Sequence, residues 1–174
     1  IEGPGVKIGD GNVFREGVSI HRATGERPTT IGSHSYFMAN CHAGHDSVVG
    51  DHVMLANGAL LAGHVEIADQ VIFGGNCAIH QFCRVGRLAM LSGVIAIVLD
   101  VPPFCTCYNM RSIESLNLVG LRRAGYRDHI PNLKRAFVIL FRQELSRRTA
   151  IARTAAVLDH DPRCRELVGF VKTT

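Results

Sequence analysis

The chain has 174 residues, enough for one domain plus a small appendage and for a sizeable buried core. Hydrophobic residues make up 47% and charged residues 20%, which excludes a disordered or collagen-like chain. The longest aliphatic run, Val94–Leu99, is far short of the roughly 18 residues of a membrane span, and the formal net charge is only +4. That small sum conceals an uneven spread: residues 1–120 carry 7 Lys/Arg against 10 Asp/Glu, whereas 121–174 carry 12 against 5. A basic C-terminal third suits an acidic protein, a phosphorylated ligand or nucleic acid, or is a solvated helical face.

The chain starts on Ile1 and is already inside a pattern at Gly5-Val6-Lys7-Ile8-Gly9, which reads as a fragment. Ile8, Phe14 and Ile20 recur every sixth residue, and a new phase of the same period opens at Ile31. Between them, His21–Thr30 contains Gly25, Glu26, Arg27 and Pro28, the chemistry of a loop. From Ile31 the sixth-residue column runs Ile31, Phe37, Ala43, Val49, Leu55, Leu61, Ile67, Phe73, Ile79, Val85, Leu91 and Ile97. Two residues before each sits a smaller partner, such as Thr29, Ser35, Cys41, Ser47 and Val53. Both columns are expected to point inward, with glycines after the large residue, as at Gly32, Gly50 and Gly86, expected at tight corners. A period of six fits neither a helix nor a simple strand but fits a solenoid, three hexads to a triangular coil. Residues 18 apart then lie one above another, at roughly the inter-strand distance of 4.8 Å.

The rhythm stops at Asp100-Val101-Pro102-Pro103, which divides a solenoid over 1–103 from a helical domain over 104–174. Candidate helices cover 112–124, 128–145, 146–158 and 161–171, with Asp128 and Asp161 as N-caps and Leu133, Phe137, Leu140 and Phe141 as an apolar stripe. Such an appendage would cover one open end of the prism.

Packing in the small column explains Cys41, Cys77 and Cys83. Cys41 and Cys77 stand two coils apart, about 10 Å, beyond the reach of a disulfide. Cys105-x-Cys107 is too close-set for the usual metal or redox pair, and Cys164 stands alone. Six reduced thiols point to the cytoplasm. Coil arithmetic also gathers histidines: His45 lies under Gly63 and Gln81, Asp46 under His64, and His80 two coils above Gly44, with His42 close by. Two chemistries fit such a corner, a metal site with imidazole ligands and general-base catalysis near neutral pH. No Gly-x-Ser-x-Gly elbow is present, which favours direct transfer from donor to acceptor.

Ile20-His21-Arg22, Asn40-Cys41-His42-Ala43-Gly44-His45-Asp46, Leu61-Ala62-Gly63-His64-Val65, Ile79-His80-Gln81-Phe82-Cys83, Asp100-Val101-Pro102-Pro103 and Gly120-Leu121-Arg122-Arg123 together resemble the UDP-N-acetylglucosamine O-acyltransferases that begin lipid A synthesis. The resemblance implies a left-handed parallel β-helix of hexapeptide repeats with a C-terminal α-helical domain. It also implies a cytoplasmic homotrimer that moves a 3-hydroxyacyl group from acyl carrier protein to the sugar 3-hydroxyl. No nucleic acid, metal or resident cofactor is implied, since the phosphopantetheine arrives on the carrier protein. Carried over by position, His45 is the general base, Asp46 orients it, and the Gly63 N–H stabilises the oxyanion. His21, His42, His64, His80, Gln81, Asn117, Arg122 and Arg123 match substrate-binding positions, and Gly93 sits where the family sets acyl length, leaving room for a long chain.

The sequence also departs from the family. Several coils that normally precede the position of Ile1 are missing, the 21–30 loop is short, Val119 stands where a Glu is expected, and Ala124 stands where an Arg is expected. Two other readings stay open beside the enzyme: a trimeric binding module of the same fold, and a zinc enzyme similar to the gamma-class carbonic anhydrases. The histidine pair of that class is five apart, whereas His42 and His45 are three apart.

Overall fold

In the computed structural model, which describes residues 4–110 and 112–173, the six-residue period becomes short strands of two or three residues. The first coil is β1 (Val6–Ile8), β2 (Val13–Phe14) and β3 (Ser19–Ile20). The second is β4 (Thr29–Ile31), β5 (Tyr36–Phe37) and β6 (His42–Ala43), and the third is β7 (Val48–Val49), β8 (Met54–Leu55) and β9 (Leu60–Leu61). Then come β10 (Glu66–Ile67), β11 (Ile72–Phe73) and β12 (Ala78–Ile79), followed by β13 (Arg84–Val85), β14 (Met90–Leu91) and β15 (Ala96–Ile97). Every third strand pairs in parallel. The first sheet is ordered β1-β4-β7-β10-β13, the third is ordered β3-β6-β9-β12-β15, and the second runs from β2 through β5, β8 and β11 to β14.

Register follows the arithmetic of 18, as in Ile31↔Val49 and Leu61↔Ile79, except across the 21–30 loop, where Ile8 pairs with Ile31. The large column is the core: Phe37, Leu55, Phe73, Leu91 and Ile97 have no exposure, and the small column packs beside them. Burying each such side chain is worth about 1.5–3 kcal/mol, and this offsets the ordering of a backbone in which no strand is long.

The corners differ from the expectation. Gly32, Gly50 and Gly86 are not at left-handed positions; a Cβ on Gly32 would come 2.6 Å from the Gly50 carbonyl carbon, and one on Gly86 would come 2.3 Å from Pro103 N. These glycines let one coil's backbone rest on the next. The left-handed turn falls two residues later, on Gly11, Gly17 and Gly58 at three corners and elsewhere on residues with side chains: His34, Asn40, Asp46, His52, His64, Gln70, Asn76, Phe82, Leu88 and Val94 all have φ between 52° and 65°. Asn, Asp and His tolerate that region best. At one corner carboxylates accept amides from the coil below, Asp51 from Ser33 N at 2.6 Å and Asp69 from Asp51 N at 2.8 Å.

Beyond Pro103 the second sheet continues with β16 (Cys105–Cys107), parallel to β14, and β17 (Ser115–Leu116), antiparallel to β16. The expected helix over 112–124 is therefore two elements. Ser115 pairs with Thr106 through a 2.7 Å hydroxyl bond, and the helix α1 (Leu118–Arg123) starts only at Asn117, whose side chain accepts from Gly120 N. Asp128 does not cap α2 (Ile130–Phe141), which begins after His129 with no side-chain cap; Asp161 instead takes up His129 Nδ1 and Asn132 Nδ2, both at 2.9 Å. Asp161 also accepts from Arg163 N at the start of α4 (Pro162–Thr173), as the cap reading required. Between them, α3 (Arg147–Leu158) is capped by Ser146. Leu133 and Phe137 are buried and Leu140 and Phe141 are partly buried in a second core with Phe104, Leu121, Leu158 and Leu167. Arg87 ties this unit to the solenoid, with Nη2 2.7 Å from Glu166 Oε2 and its guanidinium over the Phe104 and Tyr126 rings. No helix among the described residues is long and apolar enough to cross a membrane.

Candidate active site

Adjacent residues on a strand point to opposite faces, so His45 and Asp46 meet only because a corner intervenes. Asp46 has φ 59°, in the left-handed region, at the turn between β6 and β7. That turn brings Asp46 Oδ2 within 2.7 Å of His45 Nδ1. One coil up, His64 occupies the equivalent left-handed position, with Nε2 3.7 Å from the same oxygen and its ring 5.1 Å from the His45 ring, edge to face. Phe82, a further coil up, stacks on His64 at 4.7 Å.

The carboxylate is enclosed while the imidazole is open: the Asp46 side chain is 8% exposed and that of His45 is 41%. The 21–28 loop supplies the enclosure. Asp46 Oδ1 accepts from Thr24 N at 3.0 Å and Gly25 N at 2.8 Å, and Oδ2 accepts from the Thr24 hydroxyl at 2.6 Å. Thr29 Oγ1, from a fully buried residue, accepts the Asp46 N–H at 2.8 Å. The Thr24 hydroxyl first, and His45 second, hold the Asp46 carboxyl well below the usual carboxylate range. An ionised carboxylate only accepts, so His45 Nδ1 carries the proton and Nε2 is the lone-pair nitrogen. Nε2 faces Gly63, where a Cβ would lie only 2.7 Å from it. The Gly63 N–H donates to no acceptor among the described residues.

The other histidines form separate groups. His42 lies on the flat of the third sheet, 2.8 Å from Ser19 Oγ and with its ring 4.4 Å from that of His21. Burial, and then the neighbouring His21, hold it below its ordinary pKa. His80 bonds the Gln81 carbonyl through Nδ1 at 3.1 Å; neither residue is hydrogen-bonded to His45 among the described residues. A ligand set of His45, Asp46 and His64, with donor atoms within 4.8 Å of one another, is the cluster a metal would take. Both Asp46 oxygens are already taken up by loop donors and by the His45 N–H, so hydrogen bonds organise the corner as it stands.

Asn117, Arg122 and Arg123 are not brought to this corner. Asn117 is buried, donates to Leu88 O at 2.9 Å and caps α1, while Arg122 and Arg123 are exposed. Asn117 and Arg123 line a groove of about 620 Å³ on the second sheet, beside Met54, Ile72, Met90 and Tyr108. Gly93 has a packing reason of its own, since a Cβ there would meet Gly75 O at 2.9 Å. Sequence reasoning missed Thr24, Gly25, Thr29 and Phe82. The available signal was the register break beside the coil that carries His45.

Residues 28–63 match the bacterial transferase hexapeptide family, and residues 100–174 match the second domain of the UDP N-acetylglucosamine O-acyltransferases. An acyl-[acyl-carrier-protein]--UDP-N-acetylglucosamine O-acyltransferase of Anaeromyxobacter sp. is 47% identical over 96% of this chain and 66% of its own length. The one from Pseudomonas syringae is 40% identical with the same coverage. The chain thus spans just under two thirds of the curated relatives it matches. Among solved structures, the UDP-N-acetylglucosamine O-acyltransferase of Moraxella catarrhalis superposes with a TM-score of 0.89 at 36% identity, covering 95% of this chain and 66% of that one. The acyltransferase of Campylobacter jejuni superposes with a TM-score of 0.77 at 30% identity, covering 95% of this chain and 84% of that one. Fold, motif order and identity along nearly the whole chain agree, and the chain belongs to the UDP-N-acetylglucosamine O-acyltransferase family.

Proposed function

We propose that the protein transfers a 3-hydroxyacyl group from acyl carrier protein to the 3-hydroxyl of UDP-N-acetylglucosamine, the first step of lipid A biosynthesis. The observation that carries this reading is the His45–Asp46 pair at 2.7 Å with its free imidazole nitrogen turned to the Gly63 backbone. His45 Nε2 takes the proton of the sugar hydroxyl as its oxygen bonds to the thioester carbonyl carbon. The Gly63 N–H stabilises the oxyanion that forms. Collapse breaks the carbon–sulfur bond, and the imidazolium returns the proton to the leaving pantetheine thiolate, so His45 ends as it began. Asp46 fixes the tautomer and stabilises the imidazolium.

His21, His42, His64, His80 and Gln81 contact the sugar nucleotide and acyl chain in this reading, and Gly93 lies along the acyl path. Asn117, Arg122 and Arg123 serve the nucleotide and pantetheine. A homotrimer is supported by the separation of those residues, on the second sheet and α1, from the His45 corner between the third and first sheets: a cleft between copies would unite what one chain holds apart. The basic C-terminal third suits an acidic carrier protein. Six buried, unbridged cysteines suit the cytoplasm. The decisive experiment follows transfer from 3-hydroxyacyl carrier protein to UDP-N-acetylglucosamine by mass spectrometry, for the parent and for His45→Ala. Product from the parent alone is expected; a folded trimer that binds carrier protein without turnover would instead identify a binding module.

A further inference from the structure

Asp46 Oδ2, the oxygen that His45 Nδ1 bonds, receives one other strong donor, the Thr24 hydroxyl at 2.6 Å. The Thr24 amide reaches Oδ2 only at 3.2 Å, and the two shorter amide bonds, from Thr24 N and Gly25 N, fall on Oδ1. The amides anchor the carboxylate, and the hydroxyl fixes its rotation, so that the second oxygen faces the imidazole. Thr24 lies 22 residues before Asp46, in the one segment that breaks the hexad register. Thr29 closes the same segment by accepting the Asp46 N–H, which holds the left-handed turn. The Thr24 and Gly25 donors lie outside both hexad columns, whereas Thr29 belongs to the small one.

We propose that Thr24 is a positioning residue for the reaction: its hydroxyl orients the Asp46 carboxylate, and through it sets His45 with Nε2 toward Gly63. The proposal rests on the acyl-transfer reading for its kinetic readout and on the geometry for its structural one. The low ionisation of Asp46, for which the Thr24 hydroxyl is the largest cause, agrees with this role. Thr24 makes no hydrogen bond to His45 among the described residues, and it is exposed, so its replacement spares the core.

The test compares Thr24→Val, which keeps shape and amide but removes the hydroxyl, with Thr24→Ser, which restores it, each alone and combined with Asp46→Asn. Expected are a loss of roughly tenfold or more in kcat for Thr24→Val, a KM within about twofold, and near-parent turnover for Thr24→Ser. In the Asp46→Asn background the Val substitution is expected to cost nothing further, because an effect routed through Asp46 cannot be lost twice. Unchanged kcat, a loss confined to KM, or a loss that multiplies with that of Asp46→Asn would overturn the role. If the parent shows no such transfer, the acyl-transfer reading fails, and the crystal structure of Thr24→Val decides the clamp separately. His45 Nδ1 and Asp46 Oδ2 parted beyond about 3.5 Å would uphold it; the pair still at 2.7 Å would end it.

Discussion

Gly63→Ala is the sharpest perturbation the site allows, because it adds one methyl group and leaves the N–H in place. That methyl carbon would stand 2.7 Å from His45 Nε2 and 2.8 Å from Cε1. An ordinary contact is about 3.5 Å, so one group must retreat by about 0.8 Å. The backbone of Gly63 is pinned from both sides: Ala62 N donates to Ile79 O and Phe82 N donates to Gly63 O. The half-exposed imidazole is the part that yields. Displacement of a catalytic group by about 1 Å costs on the order of 100-fold in rate, or about 2.7 kcal/mol of barrier. We expect kcat to fall by about that factor with the thermal midpoint within a few degrees of the parent, measured by single-turnover mass spectrometry and calorimetry on the same samples. Turnover within threefold of the parent, with His45 unmoved in a crystal structure of the variant, would refute the reasoning.

Three further outcomes are expected. The Asp46 carboxyl is held well below its ordinary range, so its stabilising effect is complete above about pH 4 and drains away only as pH falls further, toward its folded ionisation. Urea titrations between pH 2 and 6 should show Asp46→Asn and the parent converging at the acid end and separating above it; curves that stay parallel would count against the clamped carboxylate. Phe37→Ala, at a site with no exposure beside Phe14, should cost about 3–5 kcal/mol in chemical denaturation, and a cost under 1 kcal/mol would mean the column is not the core. Burial pushes the Cys77 thiol up to about 12, so native protein at pH 8 should resist iodoacetamide at that residue and react once unfolded, as counted by intact mass.

The solenoid was legible because its physics is periodic. Of the twelve positions from Ile31 to Ile97, all but Ala43 repeat one choice, a large apolar group at the same phase, and eleven agreeing positions leave little else to build. The same counting placed Asp46 under His64 and His45 under Gly63, and both stackings are present in the structure. Phase says nothing about backbone conformation, however. Left-handed corners at Asn and Asp have a propensity signal, but those at Phe82, Leu88 and Val94 are imposed by the coils above and below, with no local signature. The Thr24 contacts escaped for the opposite reason: a loop outside the repeat has no phase to count, and its donors reach Asp46 from 22 residues away. Asn117 shows a third limit, since its resemblance to a substrate-binding position left unseen its local work of capping α1 and tying it to Leu88.

The pairing of Ile8 with Ile31 sets the 21–28 loop apart from the rest of the solenoid. Elsewhere along the coils, adding or removing a single residue would rotate an inward column to the outside, so length there is held fixed by the core. Across this excursion the partner strand resets the phase, and between the buried Ala23 and Thr29 the residues 24–27 are exposed and belong to no inward column. The segment that grips the Asp46 carboxylate is thus the one whose length can drift among descendants without unfolding the protein. Changes in how the reactive pair is held and screened can therefore accumulate independently of the scaffold beneath it.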